Sequence, residues 1–222
     1  MGKQIAIDGP AGAGKSTIAK LLSKEKGFIY VDTGAMYRAI ALFLLEKGVD
    51  VDDEEAVKNV LSEADVRLQF IEGKQCVLLN EKDVTDCLRT EEVGNTASKV
   101  SAYPPVRECL AGLQRRAAEE NDVVMDGRDI GTVILPNAPL KVFLTASVSV
   151  RAKRRFLELS EKGEECDIKK IEADIRERDK RDMTRETAPL VKAEDAILLD
   201  SSDMSIDEVV SRLQELCRER GL

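Results

Sequence analysis

Gly9-Pro10-Ala11-Gly12-Ala13-Gly14-Lys15-Ser16 constrains this chain more than any other stretch. It fits the P-loop pattern Gly-x4-Gly-Lys-Ser/Thr. The short apolar run Gln4-Ile5-Ala6-Ile7-Asp8 precedes it, and Thr17-Ile18-Ala19-Lys20-Leu21-Leu22 opens a helix after it. A strand–loop–helix of this kind turns backbone N–H groups and the positive end of the helix toward a phosphate. Gly9, Pro10, Ala11, Gly12, Ala13, Gly14, Lys15, Ser16 and Thr17 are therefore the candidate nucleotide cradle. Lys15 would reach the β- and γ-phosphates of a nucleoside triphosphate, and the Ser16 hydroxyl suits Mg²⁺ ligation. Glycines let backbone approach phosphate where a side chain would block it. A flexible Gly/Ala turn is the other reading of the composition; the flanking strand and helix favour the cradle. The motif specifies nucleotide phosphates and leaves the reaction open.

At 222 residues and 43% hydrophobic, the chain suffices for one large α/β domain with an inserted or hinged part. The 34 basic and 42 acidic residues give a net charge of −8, which argues against a wide basic face for nucleic acid. No apolar run is long enough for a membrane helix, and Met1 opens no signal-peptide pattern. Cys76, Cys87, Cys109, Cys166 and Cys217 lack Cys-x-x-Cys spacing, which predicts reduced, mostly buried thiols of a cytoplasmic protein. The chain has no histidine, which removes Ser-His-Asp and Cys-His nucleophilic catalysis and histidine metal sites. Phosphoryl transfer survives this exclusion. A phosphate monoester, with its second pKa near about 6, is already an anionic nucleophile at neutral pH. It needs positioning and charge neutralisation rather than a base.

The runs Gln4–Ile7, Phe28–Val31, Val123–Met125, Leu140–Leu144 and Ala196–Leu199 alternate with amphipathic segments. Short continuous apolar runs in this arrangement predict a five-stranded parallel sheet buried between helices. The cleanest helix is the last. Ile206, Val209, Val210, Leu213, Leu216 and Cys217 share one face, and Ser205 and Glu208 have capping-box spacing. Two stretches break the alternation. Thr33 to about Asn121 is too long for one crossover and holds a predicted hairpin, Val66–Ile71 and Cys76–Leu79, joined by Glu72-Gly73-Lys74-Gln75. Ser147 to Leu190 carries Arg151, Arg154, Arg155, Arg176, Arg178, Arg181 and Arg185, and Ile168, Ile171 and Ile175 mark a helix within it. Arginine suits planar phosphate recognition, and closing such a segment would expel water. The alternative is a solvated face, with Glu164, Glu165, Glu172, Glu177 and Asp179 paired along the helix.

Two further motifs follow predicted strands, where ligands bind in parallel sheets. In Asp32-Thr33-Gly34-Ala35-Met36-Tyr37-Arg38, Thr33 and Arg38 can bond a phosphate and Tyr37 can stack or bond. The same residues also suit a plain turn capped by Thr33. In Asp126-Gly127-Arg128-Asp129-Ile130-Gly131-Thr132, Asp126 stands at a Walker-B-like position. Asp126-Gly127 could equally be a turn, and Arg128–Asp129 a local ion pair.

The motifs together resemble the bacterial cytidylate kinases, which are nucleoside-monophosphate kinases. The resemblance rests on Ile7 to Thr17, Asp32 to Arg38, Ala97-Ser98-Lys99-Val100, Pro105-Val106-Arg107, Asp126 to Thr132, and Arg178-Asp179-Lys180-Arg181-Asp182 running to Arg185 and Ala188-Pro189-Leu190. These span nearly the whole chain in order. The resemblance implies a single P-loop-type kinase domain over 1–222. Its core would be 1–37, 108–146 and 191–222, with a monophosphate-binding subdomain over 38–107 and an Arg-rich lid over 147–190. It implies ATP with Mg²⁺ as donor, CMP and dCMP as acceptors, and a cytoplasmic monomer that engages neither nucleic acid nor membrane. On matched positions, Thr33, Tyr37, Arg38, Arg128 and Arg185 would hold the acceptor phosphate, and Ser98, Arg107 and Asp129 would read cytosine. Arg178 and Asp182 would contact sugar and phosphate. Lys15, Arg128, Arg178, Asp182 and Arg185 are then the candidates for the chemical step. Three rivals remain at this point. A GTPase switch lacks Asn-Lys-x-Asp, for which Asn80-Glu81-Lys82-Asp83 has the wrong order. A non-catalytic nucleotide or RNA module is disfavoured by charge, and a kinase for UMP or shikimate by the Asp126–Thr132 motif.

Overall fold

A computed structural model of the protein describes residues 2–71 and 74–222. Five strands form one parallel sheet: β1 (Gln4–Asp8), β2 (Ile29–Asp32), β6 (Val123–Gly127), β7 (Leu140–Thr145) and β8 (Ile197–Asp200), in the order β2-β6-β1-β7-β8. Successive side chains of a strand point to opposite faces, and β1, β2 and β6 each feed two cores, while β7 and β8 feed only the one that holds Ile5 and Ile7. Ile5, Ile7, Tyr30 and Val124 pack with α1 (Lys15–Lys26) and α8 (Ile206–Glu219). Ala6, Val31, Val123 and Met125 pack on the other face with α2 (Thr33–Glu46) and α5 (Pro104–Glu120). That two-sided burial is why the strands appear in sequence as unbroken apolar runs rather than alternating ones.

Between α2 and α5 lie α3 (Glu54–Val60), a small antiparallel sheet, and α4 (Glu91–Val100). The small sheet is β3 (Val66–Ile71), β4 (Lys74–Leu79) and β5 (Lys82–Asp83). The predicted hairpin is β3–β4, in register from Val66↔Leu79 to Ile71↔Lys74. Of its predicted connection, Glu72 and Gly73 lie outside the described residues. β5, only two residues long, had no sequence signal. Asn80 and Glu81 form the turn from β4 to β5, Lys82 and Asp83 are β5, and none of the four lines the cleft, which disposes of the guanine-motif reading.

α6 (Val148–Glu161) and α7 (Ile168–Thr184) form an antiparallel pair over the carboxyl edge of the main sheet. The isoleucine spacing located α7, but it misplaced the buried stripe. Ile168 is 41% exposed, whereas Asp179 and Asp182 are the buried residues. Carboxylates can take a buried stripe here because arginines from neighbouring elements reach each of them. α8 has its capping box on Ser205 and Glu208, and all of its predicted face is buried except Ile206, which is 51% exposed at the rim of the cleft. The thiols depart from expectation too: only Cys217 is buried, and Cys87 and Cys109 are exposed. No described helix is long and apolar enough to cross a membrane.

Candidate active site

Parallel register brings three carboxylates to one sheet edge. Asp32 pairs with Asp126, and Asp8 with Gly127, so β1, β2 and β6 each deliver an aspartate to the carboxyl side. The glycine loop leaves β1 at this edge. At Gly9 the backbone has φ 147°, and a Cβ there would stand 1.9 Å from the Leu144 carbonyl oxygen, so no other residue fits. α1 starts from Gly14, and its first residue, Lys15, is buried with its ammonium donating to the Pro10 carbonyl at 2.8 Å. Burial and the Arg128 charge push Lys15 down to about 7, against the pull of Asp126, Asp8 and Asp182.

Asp126 is no turn residue. It lies inside β6, 4% exposed, and accepts from the Tyr30 hydroxyl at 2.8 Å and from Ser16 Oγ at 3.2 Å. Burial and the neighbouring Asp32 raise it to about 6. Its carbonyl accepts from Thr33 Oγ1 at 2.8 Å. Thr33 therefore does not cap α2; Asp32 does, accepting from the Ala35 N–H at 2.9 Å while its other oxygen takes Arg38 at 3.0 Å. Gly127 is needed for contact, since a Cβ would come within 2.7 Å of Thr33 Oγ1 and 2.6 Å of Ile130 Cδ1.

Arg128 and Asp129 are not paired with each other. Arg128 Nε donates to Asp182 at 2.9 Å. Asp129, 4% exposed, is bonded by Arg107 and stands 3.8 Å from Arg185 Nη2. Burial raises Asp129 while Arg107, Arg185 and Arg128 oppose the rise. Burial would also raise Asp182, but Arg128 and Arg178 outweigh it and hold it below the usual carboxylate range. Arg107 also lies over the Tyr37 ring, 5.7 Å from its centroid. Arg181 reaches Ser98 Oγ at 3.4 Å, and Arg185 reaches Ser101 Oγ at 3.3 Å, tying α7 to α4.

Most of these side chains meet in one cleft of about 670 Å³; Tyr30 and Arg181 stand outside its lining. Ala11 to Thr17 line one side. Thr33, Tyr37, Arg38, Ser98, Arg107, Arg128, Asp129, Arg178, Asp182 and Arg185 line the rest. Of the predicted residues, Gly9 and Pro10 lie beneath the surface and support the loop without lining the cleft. Three guanidinium nitrogens of the cleft residues are buried without a partner: Arg38 Nε, Arg178 Nε and Arg185 Nη2. Burial and Arg128 push Arg178 down to about 10. A site that leaves cations under-satisfied in this way is built for an anion.

Sequence reasoning gave Asp8 no role and placed Arg151 and Arg154 only among the arginines suited to phosphate, yet all three hold the site together through protein partners. Asp8 accepts from the Ile130 and Gly131 N–H groups at 2.8 and 2.7 Å, which pins the single π-type turn over Ile130–Ile134. Burial raises its pKa to about 6. Arg151, 3% exposed, binds Asp179 through both terminal nitrogens, at 3.1 and 2.6 Å, and also the Ala11 and Ala146 carbonyls. It therefore locks the glycine loop to α7. Arg154 is fixed by the Ser201 carbonyl at 2.7 Å. The charge run of α6–α7 thus divides. Arg176 and Arg181 have the i,i+4 surface partners Glu172 and Glu177, while Arg151, Arg154, Arg178 and Arg185 serve the cleft.

The sequence profile of the cytidylate kinase family matches residues 5–219. The chain is 50% identical over 212 residues to the cytidylate kinase of Caldicellulosiruptor bescii, covering 96% of this chain and 94% of that one. It is 49% identical over 217 residues to the cytidylate kinase of Lactobacillus johnsonii, covering 98% and 94%. Among solved structures, an uncharacterized protein from Eubacterium ventriosum aligns with a TM-score of 0.51 at 16% identity, over 96% of this chain and 97% of that one. That likeness speaks to the fold alone. A family match across almost the whole length, with relatives at half identity, settles the membership: this chain belongs to the cytidylate kinase family of nucleotide-using phosphotransferases.

Proposed function

We propose that the chain transfers the γ-phosphoryl group of ATP to CMP or dCMP, giving ADP and CDP or dCDP. The observation that carries this reading is the two-sided cleft. A glycine loop with buried Lys15 faces a cluster in which Arg38, Arg178 and Arg185 keep unpartnered N–H groups. The acceptor phosphate sits among Thr33, Tyr37, Arg38, Arg128 and Arg185. It is dianionic at neutral pH and attacks in line without a base. Lys15, Arg128, Arg178 and Arg185 neutralise the charge on the transferred group. Asp182 orients Arg128 and, with Arg178, contacts sugar and phosphate.

Cytosine carries an amino donor at N4 beside acceptors at N3 and O2. Asp129 accepts from N4, while Ser98 and Arg107 donate to N3 and O2. Uracil presents an oxygen to Asp129 instead, and each unpaired buried polar group costs about 1–3 kcal/mol.

Mg²⁺ fits the residues present. Ser16 Oγ and Asp126 Oδ2 stand together at 3.2 Å, and the buried carboxylate is costly without a cation. The described residues hold no cluster of three or more acidic, Cys or His ligands, so phosphates and water would complete the shell. When bound there, the ion would supply charge neutralisation at the transferred phosphate.

Residues 38–107 act as the monophosphate-binding subdomain and 147–190 as the lid that excludes water. Arg128–Asp182 and the Arg151–Asp179 lock, both reaching into α7, support this division. The working form is a cytoplasmic monomer. The five thiols, none of them in a disulfide, are in keeping with a reducing compartment. The test is coupled ADP release with ATP against CMP, dCMP, UMP, AMP, dTMP and shikimate. CMP and dCMP should turn over fast and the others at least about tenfold less efficiently; equal turnover of UMP defeats the base assignment.

A further inference from the structure

We propose that Tyr30 is a positioning residue whose hydroxyl fixes the Asp126 carboxylate so that Ser16 and Asp126 stand together as the cation-holding pair of the phosphate cradle. This rests on the reading of Ser16 and Asp126 given above. Tyr30 lies on β2, one strand over from Asp126, and is 6% exposed within the core cluster of Ile5, Ile18 and Val124. An apolar core position of this kind has no need of a hydroxyl, and a phenol is buried at a cost unless its oxygen finds a partner. The partner is Asp126 Oδ1, at 2.8 Å. The other oxygen, Oδ2, accepts from Ser16 Oγ at 3.2 Å. Each carboxylate oxygen thus has one side-chain donor, and the two donors come from different elements, β2 and α1.

The terminal torsion of an aspartate is broad, so a carboxylate held on one side only can swing. Tyr30 removes that freedom from below the loop, where no substrate group reaches. The Lys20 ammonium lies over the ring, 5.5 Å from its centroid, and helps keep the ring in place. Groups that orient a cation's ligands without touching the ion typically change its affinity about 10-fold or more when removed.

The experiment measures Mn²⁺ retention by electron paramagnetic resonance on the full chain with the β,γ-imido analogue of ATP, for wild type, Tyr30→Phe and Asp126→Asn. Tyr30→Phe deletes one oxygen and keeps the ring. It should weaken Mn²⁺ binding about tenfold, while calorimetry finds metal-free analogue affinity and CMP affinity within about twofold of wild type. Wild-type Mn²⁺ affinity in Tyr30→Phe, with weakened affinity in Asp126→Asn, overturns the role of Tyr30 and leaves the cation pair standing. Wild-type affinity in Asp126→Asn overturns the cation pair and this inference with it. Equal weakening of metal-free analogue, CMP and Mn²⁺ binding in Tyr30→Phe marks a general packing role and also overturns the inference.

Discussion

The proposed donor side of the cleft is one continuous stretch, residues 9–17, whose ligand groups are mostly backbone. The proposed acceptor side is assembled from α2, α4, α5, the turn after β6, and α7, and its ligand groups are side chains. The donor side keeps its shape through close backbone packing, as at Gly9 against Leu144, and through Arg151 holding the Ala11 carbonyl. The acceptor side keeps its shape through ion pairs between elements far apart in sequence, Arg107–Asp129 and Arg128–Asp182. Backbone amides present the same face to any triphosphate, so the donor side is general. A cluster of aspartates and arginines can distinguish donor from acceptor atoms on a base, so the proposal gives the choice of substrate to the acceptor side.

The contrast can be broken at four points. Lys15→Ala should lower kcat by about 10³-fold with little change in CMP affinity; steady-state kinetics with a near-normal kcat would remove Lys15 from the transfer step. Asp179→Asn leaves Arg151 charged and buried, which should cost about 3 kcal/mol and lower Tm by about 10 °C. Calorimetric unfolding at wild-type Tm would show that the two sides are not joined there. Asp129→Asn should narrow the CMP/UMP ratio of kcat/KM by about tenfold or more, while ATP binding stays unchanged. An unchanged ratio moves base recognition elsewhere.

The smallest effect is on pH. Lys15 in the free protein is held down to about 7, and a bound triphosphate favours its charged form. ATP binding above that pH therefore takes up a proton, and affinity falls as pH rises, by at most about tenfold per unit. Asp126 and Asp8, raised to about 6, are already ionised in that window. Calorimetry at pH 8 in buffers of different ionisation heat should report uptake approaching one proton; none would separate Lys15 from the phosphates.

The same contrast decided what was legible in the sequence. The glycine loop, the five strands and α8 are local patterns, and the strand–loop–helix order, two-sided burial and the Ser205–Glu208 box could be seen directly. The residues that line the cleft were picked out by motif, but their partners were not. Arg128 and Asp129 are adjacent in sequence and yet bond Asp182 and Arg107, because the turn after β6 points them to different neighbours. The stripe Ile168–Ile175 indicated a helix, while its most buried residues are the acidic Asp179 and Asp182, which no hydrophobic periodicity can reveal. Tyr30 was hidden for the opposite reason: in an apolar strand its hydroxyl carries no pattern, and only the β2–β6 register brings it to Asp126.

The central claim is that one cleft holds both nucleotides end to end, and a single ligand tests it. An adenosine–cytidine pentaphosphate, titrated by calorimetry, should bind at one per chain and at least about 100-fold more tightly than ATP or CMP alone, since the second half binds at the effective concentration set by the first. Affinity no better than that of ATP, or two molecules per chain, would contradict it.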